Sequence, residues 1–438
     1  MLSAVAITCL LALPALPGCT ATILTGSQSS PVLKIGIDLP LSGDEGRVAN
    51  PALNGIRFYV AQHPQLDGFS IQVDARDDTS AGTPDPARGA ANVQALAGAP
   101  QVIAVIGPFD AAVARAEIPI ANLASLAMVS PAISSPCLTK AVYLPATLTR
   151  TRSAVTCKDA GQPAAADLRP NTVNNFFRLA PTDDLQGPAA ADYAFKSLHI
   201  VRAATVSDHE AYGQALARSF AARFVRLGGS IVGSLDTDLT ASTVEATAFL
   251  RRMRADGAQA LYFGGSATNR GCVLKSQMAD LFPAGDQAPF LGGDGIAEDP
   301  ACIAQVGSHT SAIYATVPAI DPANRAGAAA VIAAFKRAYP ARSDYGAYTV
   351  IAYDAAGLLY AALHRAIMAA GGRLPPRSRV NSELAGTAGY LGVTGTIGFD
   401  PAGDTTNRVL SVYRAPGSDP LAAWILVGEI DFGGSPPY

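Results

Sequence analysis

Few side-chain arrangements in this 438-residue chain could do chemistry unaided. The five histidines, His63, His199, His209, His309 and His364, are scattered, with no H-E-x-x-H and no i, i+4 pair, so zinc hydrolysis is not indicated. No G-x-G-x-x-G follows a strand pattern and no P-loop occurs. Gly264-Gly265-Ser266 and Gly292-Gly293-Asp294 do not complete a G-x-S-x-G elbow. Asp77-Asp78 and Asp183-Asp184 are adjacent carboxylates; neighbouring side chains diverge in a strand or loop, so solvated turns or helix caps are expected rather than acid–base dyads. Six cysteines are present; four of them, Cys137, Cys157, Cys272 and Cys302, lie past residue 20, without C-x-x-C or histidine partners at zinc spacing. Three disulfide pairings are possible, the sequence-local one joining Cys137 to Cys157 and Cys272 to Cys302; four buried thiols are the alternative. No metal or cofactor is expected, and the chain reads as a binding protein rather than an enzyme.

The elements that must position such residues follow from pattern. Hydrophobic residues make up 49% and charged residues 15%, which excludes a disordered chain or a coiled coil. A formal charge of −3 gives no basic excess for nucleic acid. From Val32 strand, turn and helix alternate about every thirty residues. Strands are expected at Leu33–Leu39, Ile71–Asp74, Val102–Ile106 and Ala127–Val129. Asn50-Pro51 and Asp85-Pro86 read as N-cap and first helical residue. Residues 135–172 have no clear period. Alternation resumes with a helix at Pro188–Leu198, a strand at Ile200–Val206, a helix from Tyr212, strands at Ser230–Leu235, Ala260–Phe263, Phe290–Gly292 and Ile313–Thr316, and a helix from about Thr268. Helices at Ala328–Ala338 and Tyr348–Ala370 precede a hairpin-like tail. The expectation is α/β: two doubly wound parallel-sheet units plus a C-terminal segment.

Ala4–Leu16 is an apolar stretch of signal-peptide length. It leads into Leu16-Pro17-Gly18-Cys19, which resembles a bacterial lipobox, with Cys19 as the lipidated residue. Thr20–Pro31 reads as a tether. Export to the periplasm or cell surface, with lipid attachment, is the expectation.

An ordered set of segments resembles the periplasmic binding proteins of branched-chain amino acid ABC transporters, the type I Venus flytrap family. They are Ile35-Gly36-Ile37-Asp38-Leu39-Pro40-Leu41-Ser42-Gly43, Val105-Ile106-Gly107-Pro108, Val129-Ser130-Pro131-Ala132-Ile133-Ser134, and the run from Phe177 to Gly187 (FRLAPTDDLQG). Tyr212-Gly213, Phe263-Gly264-Gly265, Gly292-Gly293-Asp294-Gly295 and the run from Val393 to Asp400 (VTGTIGFD) complete it. The resemblance implies two lobes joined by three crossing strands, the periplasmic binding protein-like I fold. Residues 1–18 would be a signal peptide and 19–31 a tether. Residues 32–182 with 317–392 would form lobe 1, and 183–316 with 393–434 lobe 2. The implied function is capture of an amino acid or related small polar ligand in the interlobe cleft by hinge closure, by a monomer that delivers it to a membrane permease. A ligand-sensing regulator of the same fold and an exported α/β enzyme are the other classes.

The resemblance also implies a ligand site. Ala132 and Ser134 occupy the positions that hold the ligand carboxylate, Tyr212 that of a packing tyrosine, Asp294 that of the acidic partner of the ammonium, and Tyr348 that of a bordering aromatic. Two positions depart: Ala111 stands where the family commonly has serine, and Ser266 where it has a pocket tyrosine. Asp110, just before Ala111, is either a helix N-cap or a cleft carboxylate.

Overall fold

The structure, a computed structural model, describes residues 30–146, 154–420 and 422–433. The apolar leader and Cys19 lie outside these residues. Val32–Leu39 forms the centre of a first sheet because its side chains are covered on both faces: Leu33, Ile35, Ile37 and Asp38 are all 0% exposed. Its order is Phe176–Arg178, Ala127–Ser130, Val102–Ile106, Val32–Leu39, Phe69–Asp77 and Gln65–Leu66, all parallel except the last short edge strand. The second sheet runs Ser230–Asp236, Arg202–Ser207, Ala260–Gly264, Phe290–Gly292, Ile313–Val317, Val409–Arg414 and Ile425–Asp431. Its first five strands are parallel and its last two antiparallel. This is the expected α/β architecture of two wound parallel sheets.

The chain passes between the lobes three times. It leaves the first sheet after Arg178, builds the second, and returns through helices Thr349–Ala369 and Arg377–Ala385, which pack on the first lobe. The strand Val409–Arg414 then rejoins the second sheet beside Ile313–Val317. Helix Gly46–Gln62 lies so close to Thr349–Ala369 that a Cβ on Gly55 would come within 2.1 Å of the Thr349 carbonyl oxygen. Asp354, buried in that second helix, accepts the Val393 and Thr394 amides at 2.8 and 2.7 Å and so anchors the hairpin Tyr390–Ile397.

Local capping chemistry explains most boundaries. Asp85 accepts from the amides of Ala87 and Arg88 ahead of helix Pro86–Gly98. Gly228, at φ +100°, ends helix Ala211–Arg226 as expected of a terminating glycine. Asn50-Pro51, however, is not a helix start. The helix begins at Gly46, and the Asn50 side-chain amide instead donates to the carbonyls of Leu41 and Gly46. The helix expected from Pro188 begins earlier, at Asp183, and the turn from Ala267 precedes a helix that starts only at Val273. Of the acidic pairs only Asp77, half-buried and accepting the Leu41 and Thr79 amides, is the expected turn carboxylate. Asp78, Asp183 and Asp184 are at most 2% exposed, because Lys140 reaches the Asp184 carboxylate at 3.0 Å and the others are enclosed by neighbouring elements.

Both sequence-local disulfides are formed, Cys137–Cys157 and Cys272–Cys302, with Cα–Cα distances of 5.6 and 5.2 Å. The first ties the turn Pro136–Leu138 to the residue that follows the strand Val155–Thr156, across a region without regular sequence pattern. Closing loops of 20 and 30 residues stabilises the fold by about 3–4 kcal/mol each.

Candidate functional site

The lobes are joined at their crossings by a buried ionic network. Arg178, 0% exposed at the last strand of the first sheet, donates Nε to Asp404 Oδ1 at 2.7 Å and an Nη to the Ser135 carbonyl at 2.6 Å. A second Nη reaches the Thr139 hydroxyl. Lys140 links the Asp184 carboxylate and the Thr182 hydroxyl, at 3.0 and 2.9 Å. The first crossing (residues 179–183) and the segment bearing Asp404 are therefore held by the same two cations. Burial pushes the Asp404 carboxyl up, but Arg178 and Lys140 outweigh it and hold it below the ordinary value.

On this frame the turn after Phe290–Gly292 presents Asp294. Its Oδ1 accepts from Gln186 Nε2 at 2.7 Å and from the Tyr212 hydroxyl at 2.6 Å, both from the second lobe. Its Oδ2 accepts the Tyr348 hydroxyl, which belongs to the N-terminal end of the helix packed on the first lobe. Gln186 also donates to the Thr316 carbonyl at 2.9 Å, which fixes its amide. Gly293 is required here by close approach: a Cβ would lie 2.7 Å from the Tyr212 hydroxyl oxygen. Burial, then the Asp294 charge, pushes both tyrosine hydroxyls well above their ordinary value, so they remain donors. A carboxylate has about four acceptor sites, and three neutral donors leave room for one cationic partner.

The opposite wall is the loop after Ala127–Ser130. The amides of Ala132 and Ile133 donate to Ser130 Oγ at 3.3 and 3.1 Å. Ser134, 7% exposed, receives the Asp183 amide on its carbonyl at 2.9 Å, and its side chain bonds the Asp183 carboxylate. It caps no helix; Ser135 precedes the turn Pro136–Leu138. Burial pushes the Asp183 carboxyl up to about 7, the Asp294 charge adds to this, and Ser134 opposes it. Tyr212 and Tyr348 thus meet at Asp294 and Ser134 meets Asp183, whereas the Ala132 amide is taken by Ser130.

The remaining expected residues sit differently. Asp110 Oδ1 accepts the amides of Ala112 and Val113 at 2.7 and 2.9 Å, the geometry of an N-cap, and Ala111 is the first residue of the helix Ala111–Leu123. Phe109 packs edge-on against Tyr348 with ring centroids 5.5 Å apart, which sets this cap beside the cleft. Ser266 lies next to Gly295, but its hydroxyl bonds Thr268 and its amide bonds Asp208, so it belongs to the turn Ala267–Asn269.

Three contributors carry no role in the sequence reading: Gln186, Asp183 and Glu45. Gln186 and Asp183 lie within the FRLAPTDDLQG run, but only the fold brings them to Asp294 and Ser134. Glu45, just before helix Gly46–Gln62, is pushed up by burial and by the charges of Asp299, Asp110 and Asp294. Carboxylates from both lobes therefore face one another across this region.

Comparison with known proteins bears on the whole chain. A family profile described as periplasmic binding protein matches residues 32–419. The chain is 25% identical to the Leu/Ile/Val-binding protein BraC3 of Rhizobium johnstonii over 407 residues, covering 90% of this chain and 96% of that protein. The structure resembles that of a leucine-binding protein, LivK, of Thermotoga maritima, with a TM-score of 0.70 at 21% identity over 91% of this chain and 99% of that one. It resembles equally an ABC-transporter solute-binding protein of Rhodopseudomonas palustris in complex with p-hydroxybenzoic acid, TM-score 0.70 at 17% identity over 93% and 98% of the two chains. Among the described residues no helix is long and apolar enough to cross a membrane. With two wound lobes, three crossings and a match that runs from the first strand to residue 419, the chain belongs to the periplasmic binding protein family, a family of extracytoplasmic solute-binding proteins rather than of enzymes.

Proposed function

We propose that this chain is the solute-binding component of an ABC importer and takes up an amino acid, or a related small ligand bearing an ammonium group, between its lobes. One observation carries the reading: Asp294 accepts hydrogen bonds from both lobes at once, through Gln186 and Tyr212 on one side and Tyr348 on the other. Bringing the lobes together completes the carboxylate's surroundings, which is the requirement for ligand capture by hinge closure. The acidic character of the region, with Glu45, Asp183, Asp294 and Asp299 in electrostatic reach, favours a ligand that brings a positive charge. The ligand carboxylate is assigned to the Ala132–Ser134 loop. Residues 32–182 with 317–392 and 183–316 with 393–434 are assigned as the two lobes, export to the leader Ala4–Leu16, and anchoring to Cys19. Mass spectrometry of the mature N-terminus tests the last two, and co-purification with a membrane permease tests the partner.

The ligand reading is tested by a thermal-shift screen of amino acids, amides and benzoates. A ligand at a hundredfold excess over its Kd adds about 2.7 kcal/mol of stability. The best ligand should also compact the protein in solution scattering. Asp294→Ala removes the ammonium's partner and should weaken binding by about 2–5 kcal/mol. Stabilisation by benzoate and by no amino acid, or an unaltered affinity in Asp294→Ala, would refute the reading.

A further inference from the structure

We propose that Asp38, Asp78 and Glu117 form an oxygen-ligand site for a divalent cation, Ca2+ by its ligand preference, in the first lobe; this is independent of which solute the cleft takes. The three come from separate elements. Asp38 is the penultimate residue of the strand Val32–Leu39, Asp78 follows the neighbouring strand Phe69–Asp77, and Glu117 lies on the helix Ala111–Leu123. One carboxylate oxygen from each lies within 4.8 Å of the others. Mg2+ demands near-ideal octahedral geometry and keeps several waters, whereas Ca2+ accepts irregular sets of protein oxygens, so a fully buried carboxylate triad suits Ca2+.

The second observation is the state of these oxygens. All three residues are 0% exposed, yet Asp38 Oδ2 and both oxygens of Asp78 and of Glu117 receive no donor from outside the cluster; Asp38 and Glu117 meet only each other, at a distance where they share a proton. None of the three takes part in an ion pair among the described residues; the nearby Arg76 is held by Asp74 at 3.2 Å. Buried carboxylates at this separation cannot all stay ionised without a cation or protons between them. Three carboxylates converging from separate elements, with no cation of the protein among them, supply ligands of the hard kind that Ca2+ takes.

The surroundings orient this set. Asn92, on the helix Pro86–Gly98, donates from Nδ2 to Asp38 Oδ1 at 2.9 Å and to the Asp77 carbonyl at 2.9 Å, leaving Asp38 Oδ2 turned toward the other two carboxylates. Such outer partners commonly set ligand direction in metal sites. On the same helix Gly89 passes directly over Glu117, where a Cβ would lie 2.5 Å from Oε1, so glycine leaves that carboxylate its space.

The test uses the whole purified protein after chelator treatment. Calorimetric titration with CaCl2 at neutral pH should show saturable binding of one ion per chain, and CaCl2 should raise the melting temperature, with MgCl2 weaker in both. Asn92→Ala should weaken Ca2+ binding about 10- to 100-fold while leaving the three carboxylates in place. Glu117→Gln and Asp78→Asn should abolish it. If either of these variants fails to fold, the wild-type titration and Asn92→Ala still decide. Absence of Ca2+ and Mg2+ binding at millimolar concentration in the wild type would mean that protons alone occupy the cluster, and would overturn the proposal. Ca2+ binding retained undiminished in Asn92→Ala and Glu117→Gln would overturn it too, by placing the ion elsewhere.

Discussion

Replacing Asp183 by asparagine should reverse the sign of its effect on stability between acid and alkaline pH. Asp183 is 2% exposed, and burial raises its carboxyl from 3.8 to about 7. A carboxyl raised on folding binds its proton more tightly in the folded chain, so wild-type stability is full below about pH 4, falls as pH rises to about 7, and is level above that. The gap between 3.8 and about 7 corresponds to about 4 kcal/mol of cost to the ionised form. Asp183→Asn abolishes this term, since it cannot ionise, and keeps an oxygen to accept from Ser134. Its new amide hydrogens replace Oδ1, which has no partner, and an unsatisfied buried donor costs about 1–3 kcal/mol at every pH. The variant should therefore be less stable than wild type by about 1–3 kcal/mol at pH 4 and more stable by a similar amount at pH 8. Urea denaturation of both proteins without ligand, across this range, reads the difference directly, because titrations common to the two cancel. Stability curves that stay parallel from pH 4 to pH 8 would show that Asp183 does not carry the raised carboxyl.

Two further substitutions address the frame and the cap. Arg178→Ala leaves Asp404 buried beside an empty site, and breaking a buried pair of this kind should cost about 3–5 kcal/mol in chemical denaturation; a loss under 1 kcal/mol would mean that the network does not hold the crossings. Asp110→Asn keeps a capping oxygen and removes the charge, so melting temperature and ligand preference should both stay nearly unchanged, whereas Asp110→Ala should cost about 1 kcal/mol. Tighter binding of carboxylate ligands by Asp110→Asn would instead place that carboxylate in the cleft.

Much of the fold was legible because its signals are local. The strand Val102–Ile106 is an unbroken apolar run, and in the structure every residue of it is buried. Asp85 before Pro86 and Gly228 after a long amphipathic stretch marked helix ends through chemistry that involves only their own neighbours. Asn50-Pro51 misled for the complementary reason. It carries the local cue of a helix start, but the Asn50 side chain bonds Leu41 across the preceding turn, and the helix extends back to Gly46. Four cysteines with three possible pairings resolved to the local pairing, a choice that only chain geometry makes.

The site was legible to the extent that resemblance supplied positions. Tyr212, Asp294 and Tyr348 converge as that pattern implied, while Ser266 does not offer its hydroxyl. What no local pattern could yield is the company each carboxylate keeps. Asp77-Asp78 and Asp183-Asp184 read as hydrated pairs because adjacent acids in a loop usually are. Their environment depends instead on Lys140, Ser134 and Glu117, which lie 39 to 49 residues away and arrive only when the sheet and its helices close. Burying a carboxylate is unfavourable unless a donor, a cation or a proton accompanies it. Each buried acid therefore reports a partner that offsets that cost. For Asp184 and Asp404 the partners are Lys140 and Arg178, and the consequence is a rigid set of crossings. For Asp294 they are two tyrosines and a glutamine, all neutral, which leaves its charge uncompensated at the place where the lobes meet. A carboxylate met by neutral donors alone is poised to receive a cationic group, and on the proposed closure of the lobes over a solute, that group belongs to the ligand.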